Sequence, residues 1–114
     1  MLKLNIHNET SRLRAVVLGS ATSNGPTPKV EDAYDPKSLE HILAGTYPLE
    51  QDMVLEMEAF RQVLCNYGVT VFRPAPIADY NQIFVRDIGF VIGDVFIRSN
   101  ILPEREREQE AIQP

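Results

Sequence analysis

Between Pro48 and Gly68 the apolar residues fall at Leu49, Met53, Met57, Phe60, Leu64 and Tyr67, in steps of four, four, three, four and three. That spacing places all six on one face of an α-helix. Pro48 lies just ahead and Gly68 just behind, so both ends are punctuated, the second by a residue that takes a left-handed cap conformation. Two short, partly β-branched runs flank this helix. Residues 13–18 (Leu-Arg-Ala-Val-Val-Leu) stop at Gly19 and Ser20, and residues 69–72 (Val-Thr-Val-Phe) are closed by Arg73-Pro74-Ala75-Pro76. Both read as strands. A strand, a helix and a strand in succession predict a mixed α/β (α+β) fold, with Met53 and Met57 serving as core packing.

The connections differ in kind. Residues 20–35 are Ser-, Thr-, Asn-, Gly- and Pro-rich and include Asn24-Gly25-Pro26 and Pro28, a loop longer than most. Near the other end, Gly89-Phe90-Val91-Ile92 and Val95-Phe96-Ile97-Arg98 flank Gly93-Asp94, the pattern of a two-residue hairpin. Both arms are so apolar that burial is expected for each. From Pro103 the signs alternate through Glu104, Arg105, Glu106, Arg107, Glu108 and Glu110, with three-apart pairs such as Arg105 and Glu108, so a helix begins there. Only Ala111 and Ile112 remain to anchor it, and the chain reads as cut inside a larger fold.

One domain over residues 1–114 is the natural division of 114 residues. Lys+Arg 11 against Asp+Glu 16 leaves a net charge of -5, so there is no basic field for nucleic acid or for an anionic membrane surface. No apolar run approaches the roughly 20 residues of a spanning helix, and the first residues carry no signal-peptide core, which predicts a cytoplasmic address. The lone Cys65 excludes an internal disulfide and a cysteine-cluster zinc site. No metal and no cofactor is expected. Cys65 reads as a small core hydrophobe, and His7 and His41 as ordinary solvated or capping histidines.

The densest polar cluster is Asp79, Tyr80 and Asn81, followed by Gln82-Ile83-Phe84-Val85 and then Arg86-Asp87. As a regular strand, this stretch would put Asn81, Ile83, Val85 and Asp87 on one side and Gln82, Phe84 and Arg86 on the other. A carboxylate at the strand end can grip a guanidinium, whose planar fork matches two carboxylate oxygens. Taken alone, Arg86 and Asp87 read equally as a surface or structural ion pair.

The run from Asn81 through Arg86-Asp87 to Gly93-Asp94 resembles the Arg-Asp segment of the guanidino-group-modifying (pentein) superfamily, which includes glycine amidinotransferase, arginine deiminase and dimethylarginine hydrolase. Residues 58–76 extend the likeness, with Tyr67-Gly68-Val69-Thr70-Val71-Phe72-Arg73-Pro74 most similar to amidinotransferases. Residues 13–19 and Arg105-Glu106-Arg107-Glu108 extend it further.

The resemblance implies a partial α/β propeller of ββαβ modules. It also implies a reaction in which a cysteine thiolate attacks the guanidinium carbon while a histidine shuttles protons. By position, Asp87 matches the substrate-binding and catalytic aspartate, and Asn81, Phe84 and Arg86 match the segment framing it. Arg105 and Arg107 match an arginine-rich stretch where an arginine meets the substrate carboxylate, and they read equally as a solvated helix face. The family's nucleophile and base lie downstream of the matched segment, and no residue here matches either.

The expectation is therefore the N-terminal portion of an amidinotransferase-like enzyme that acts on a small, arginine-like guanidino substrate and is inactive alone. The alternatives are a fragment of a deiminase- or dimethylargininase-type hydrolase, and a non-catalytic guanidino-binding or assembly protein. The last would complete its open strand edges as a homo-oligomer or with a partner supplying the missing C-terminal modules. A third is a small α/β domain whose Arg-Asp segment is structural.

Overall fold

The runs expected as the first and second strands pair with each other. In the computed structural model, which describes residues 2–22 and 24–113, β1 (Ala15–Val17) lies parallel to β2 (Thr70–Phe72), with Ala15 opposite Thr70 and Val17 opposite Phe72. Hydrogen bonds from the Leu18 N–H to the Phe72 carbonyl and from the Thr70 N–H to the Arg14 carbonyl, each 2.9 Å, lengthen the ladder. Parallel strands need a crossover, and two helices supply it: α1 (Pro36–Ala44) and α2 (Glu50–Asn66).

The sequence reading did not foresee α1, although its ends are legible. Asp35 Oδ1 accepts the Ser38 N–H at 2.8 Å, Pro36 opens the first turn, and Gly45 closes the helix in the left-handed conformation. Its apolar residues are too few for the periodicity to register. Hydrogen bonding from Ser38, side chain first and backbone second, holds the Asp35 carboxyl below its ordinary range. A carboxyl depressed in the folded state stabilises it above the unfolded value and loses that contribution as pH falls through the folded value. Asp35→Ala should therefore cost about 1 kcal/mol near neutrality. The gap from wild type should close on acidification below about pH 4. Thermal melts of both proteins across acidic pH measure this; a gap independent of pH would remove Asp35 as the cap.

α2 forms where the spacing predicts, but the side it turns inward is rotated. Met53, Val54, Met57, Leu64 and Cys65 are half-buried, whereas Phe60 and Tyr67 of the expected face stand exposed beside Leu55 and Val63. The helix is apolar on two sides, and a sheet only two strands wide covers one narrow strip of it. Cys65 lies at the edge of that strip rather than in the core, its Sγ accepting from Arg61 Nη1 at 3.4 Å.

β3 (Gly89–Ile92) and β4 (Val95–Arg98) form the expected antiparallel hairpin, with Gly89 opposite Arg98 and Ile92 opposite Val95. Gly93 has φ of 60° and Asp94 does not enter the left-handed region, which places glycine at the first central position of the turn. The backbone of Ile6 bridges Gly93 through bonds of 2.9 and 2.6 Å. The expected burial of both arms is corrected here. Phe90, Ile92, Val95 and Ile97 share one face and are 52%, 60%, 56% and 36% exposed. β3 and β4 make a sheet of their own, separate from β1 and β2, and no described element lies over that face.

The stretch expected as a strand over Asn81 to Asp87 is not one. Gln82 makes an isolated bridge to Ser20, and Val85–Asp87 is a short 3-10 turn, so strict alternation of faces does not apply. The side chain of Gln82 explains the break. It is buried, its Oε1 accepting the Ile77 N–H and its Nε2 donating to the Ala75 carbonyl, both at 2.8 Å, which fastens the proline-rich segment after β2.

Pro103–Ile112 is helical as expected but winds as a 3-10 helix, which brings residues three apart into eclipse. The Ala75 N–H donates to the Ala111 carbonyl at 2.8 Å and ties its end to the same segment.

The result is a mixed α+β arrangement of two small sheets flanked by helices. Its buried apolar side chains, among the described residues, are Leu18, Ala21, Val69, Pro74 and Ile88. The accessible surface is 8419 Å². A compact monomer of this mass exposes about 6,300 Å², so the excess is roughly 2,100 Å².

Candidate functional site

The site is built where the 3-10 turn before β3 meets the 3-10 helix that follows β4. Asp87 closes the turn, its N–H donating to the Phe84 carbonyl at 3.0 Å, and the next residue, Ile88, is buried and anchors it. On the facing helix, Gln109 is buried and its Nε2 donates to the carbonyls of Ile88 at 3.1 Å and Ser99 at 2.8 Å. Its Oε1 accepts from Arg98 Nε at 3.1 Å and Nη2 at 2.6 Å. This one amide fixes the helix to both strands at the open end of the hairpin, and the neighbouring Glu108 is thereby carried inward.

Arg105 lies between the two carboxylates. Its Nε donates to Glu108 Oε2 at 2.5 Å and its Nη2 to Oε1 at 3.2 Å, a bidentate clasp across one turn of 3-10 helix. On the other side Nη1 reaches Asp87 Oδ2 at 3.0 Å and Nη2 the Phe84 carbonyl at 3.1 Å. Glu108, with Asp87 behind it, raises the guanidinium pKa further above its already high value, so the group is permanently charged. The two carboxylates differ in setting. The Glu108 side chain is 2% exposed, whereas that of Asp87 is 41% exposed and its Oδ1 has only a 3.4 Å contact with the solvent-facing Arg86 Nε.

Two phenols border the cluster. Burial raises the pKa of Tyr34, with Arg105 lowering it and Glu108 raising it, so the end of the long loop reaches the same charges. Burial likewise raises that of Tyr80, whose hydroxyl accepts the Arg107 N–H at 3.2 Å. The Arg107 guanidinium lies 5.8 Å from the centre of the Tyr80 ring.

Of the residues singled out from sequence, Asp87, Arg105 and the Phe84 carbonyl come together. The Phe84 ring itself is exposed. Arg86 and Arg107 stand as exposed cations at the margin, and Asn81 serves the local backbone, its Oδ1 accepting the Ile83 N–H at 3.1 Å. Sequence reading paired Arg105 with Glu108 but could not foresee the burial of Glu108. Nothing in the spacing signalled Tyr34 or Gln109.

The groups able to act as nucleophile or base lie apart. His7 Nε2 is 2.6 Å from Asn5 Oδ1, and His41 Nδ1 is 2.8 Å from Thr46 Oγ1 at the end of α1. Among the described residues, neither histidine nor Cys65 is hydrogen-bonded to the Asp87 cluster. A separate cleft of about 250 Å³ opens at the carboxyl ends of β1 and β2, lined by Ser20, Thr22, Met57, Glu58, Arg61 and Arg73. It shares no residue with the cluster. Its two arginines are already engaged by Glu58, whose carboxyl Arg61 holds below the ordinary range.

Among the described residues no group of three or more His, Cys, Asp or Glu is placed to hold a metal ion, and no helix is long and apolar enough to cross a membrane. No family model, curated protein or solved structure matches the chain.

Proposed function

We propose that this chain supplies the guanidinium-binding carboxylate of an amidinotransferase-like enzyme, with Asp87 receiving an arginine-type substrate. The observation that carries the reading is that Asp87 already meets a guanidinium, that of Arg105, through one oxygen alone, Oδ2 to Nη1 at 3.0 Å. Because Glu108 clasps Arg105 from behind, Asp87 is not needed to neutralise it and keeps Oδ1 turned to solvent. A second guanidinium can take that edge by displacing the solvent-facing Arg86, which with Arg107 then offers a cation to the carboxylate of the same molecule. The chain contributes binding and orientation, which lower a barrier only when a nucleophile and a base act on the bound group. It therefore turns over no guanidino substrate by itself.

A purely structural role for the Arg105 clasp is the second reading, favoured by the burial of Glu108. Titration separates the two. Arginine added to the folded chain should bind on the order of millimolar, since a half-exposed ion pair is worth little. A carboxylate-free guanidine should bind more weakly, and Asp87→Asn should abolish both while leaving the unfolding midpoint nearly unchanged. No heat and no resonance shift with either ligand, in a sample shown to be folded, would leave the structural reading standing.

A further inference from the structure

The cleft at the carboxyl ends of β1 and β2 takes no part in the Asp87 reading. α2 supplies Met57, Glu58 and Arg61 to it, the turn after β1 supplies Ser20 and Thr22, and Arg73 enters from the end of β2. Open α/β sheets bind their ligands outside the carboxyl ends of their strands. The charges in this cleft are unequal. Two guanidiniums meet one carboxylate, a surplus of one positive charge in a chain whose net charge is -5. Each guanidinium is also held by a neutral group: Arg73 Nη1 donates to the Gly19 carbonyl at 2.5 Å, and Arg61 Nη1 to Cys65 Sγ at 3.4 Å. The Glu58 carboxylate has only the two arginines as partners among the described residues, and its side chain is 55% exposed against their 35% and 29%. It also divides itself poorly between them. Its Oε1 takes Arg61 Nε at 2.6 Å, whereas its Oε2 stands 3.5 Å from Arg73 Nη2.

We propose that this cleft binds a phosphate dianion, free or as the end of a small monoester, which takes the place of Glu58 between Arg61 and Arg73. A carboxylate entering there exchanges one negative charge for another and gains little. A phosphate brings nearly two charges and at least three acceptor oxygens, enough to meet both guanidinium forks at once. The Ser20 hydroxyl adds a donor, because its Oγ accepts the Thr22 N–H at 3.3 Å and its own proton is left to point elsewhere. The ligand is small, since the cleft's volume of about 250 Å³ lies below the roughly 300–1,000 Å³ of sites for drug-sized molecules. Val54 and Met57 offer an apolar wall to the carbon of an ester.

The experiment follows the amide and arginine Nε resonances of the full chain during titration with inorganic phosphate, glycerol phosphate and acetate at constant ionic strength. Both phosphates should shift Ser20, Thr22, Arg61 and Arg73 with dissociation constants on the order of millimolar, and acetate should bind at least about tenfold more weakly. Tighter binding of the monoester assigns the site to a phosphorylated small molecule, and equal binding assigns it to free phosphate. Glu58→Gln, which removes the competing charge, should tighten phosphate binding several-fold, whereas Arg61→Gln should weaken it more than about tenfold. Lys37→Gln, which loses an exposed pair with Glu40 on α1, should change neither. Acidification below about pH 6, where a phosphate monoester gains a proton, should weaken binding. The absence of shifts with either phosphate in a folded sample overturns the proposal. So does acetate binding as tight as phosphate, or a Glu58→Gln protein that binds phosphate no better than wild type. Should Arg61→Gln fail to fold, Arg61→Lys decides: it keeps the charge without the fork, and unchanged phosphate binding overturns the proposal. These readouts involve neither Asp87 nor a guanidino ligand, so this proposal and the preceding one fail separately.

Discussion

Glu108→Ala should be among the most damaging single substitutions in the chain, lowering the free energy of unfolding by about 3–5 kcal/mol. The carboxylate is 2% exposed, and its two oxygens take the Nε and Nη2 of Arg105, itself mostly shielded. Removing it leaves a largely shielded guanidinium with Asp87 and one carbonyl as its remaining acceptors. It also loosens the 3-10 helix that holds Gln109 against the hairpin. The melting temperature should fall by well over 10 °C at the usual few degrees per kcal/mol. Glu108→Gln, which keeps an acceptor but loses the charge, should fall between alanine and wild type. Asp87→Ala removes a carboxylate that is 41% exposed and should cost about 1 kcal/mol or less. Chemical denaturation of the three variants measures the ordering. If Asp87→Ala proved as costly as Glu108→Ala, Asp87 would be an equal member of a structural clasp, and its availability to a ligand would be lost.

Gly19→Ala should be severely destabilising for a different reason, one that no charge contributes to. A Cβ at this position would lie inside the contact distance of the Ile83 carbonyl oxygen and 2.8 Å from the carbonyl oxygen of Gln82. Both obstacles are backbone, so no side-chain rotation relieves the clash. The Ser20–Gln82 bridge, with its N–H to carbonyl bond of 3.0 Å, must then open or β1 must shift. Overpacking of this kind costs about 1–3 kcal/mol, and more where backbone is the obstacle. Because that bridge joins the β1–β2 sheet to the segment leading into Asp87, loss of packing should spread to the site. Equilibrium unfolding together with the arginine titration tests both effects. A Gly19→Ala protein of wild-type stability would mean that the two segments are not in contact in solution.

Several elements are legible in the sequence because their signals are local. The spacing from Leu49 to Tyr67 produced α2, Gly93-Asp94 produced the hairpin, and the β-branched runs produced β1 and β2 within a residue or two. The caps of α1 were present in Asp35, Pro36 and Gly45, but the helix has too narrow an apolar stripe to declare itself. The stretch from Asn81 to Asp87 misled because its alternating pattern satisfies a strand template. Gln82 instead turns its amide to the backbone of the proline-rich segment and ends the pairing.

What the sequence determined by itself was therefore the kind and order of the secondary elements other than α1 and the Val85–Asp87 turn, the tight turn of the hairpin, and the three-apart pairing of Arg105 with Glu108. These depend on interactions within a few residues, which one-dimensional spacing encodes. Tertiary structure alone decided which side of α2 is covered, that the hairpin face is bare, and that Arg105 lies between a buried carboxylate and an accessible one. Those outcomes depend on what each surface meets after the chain turns back on itself. The spacing of apolar residues records that a face wants covering, but not whether another element reaches it.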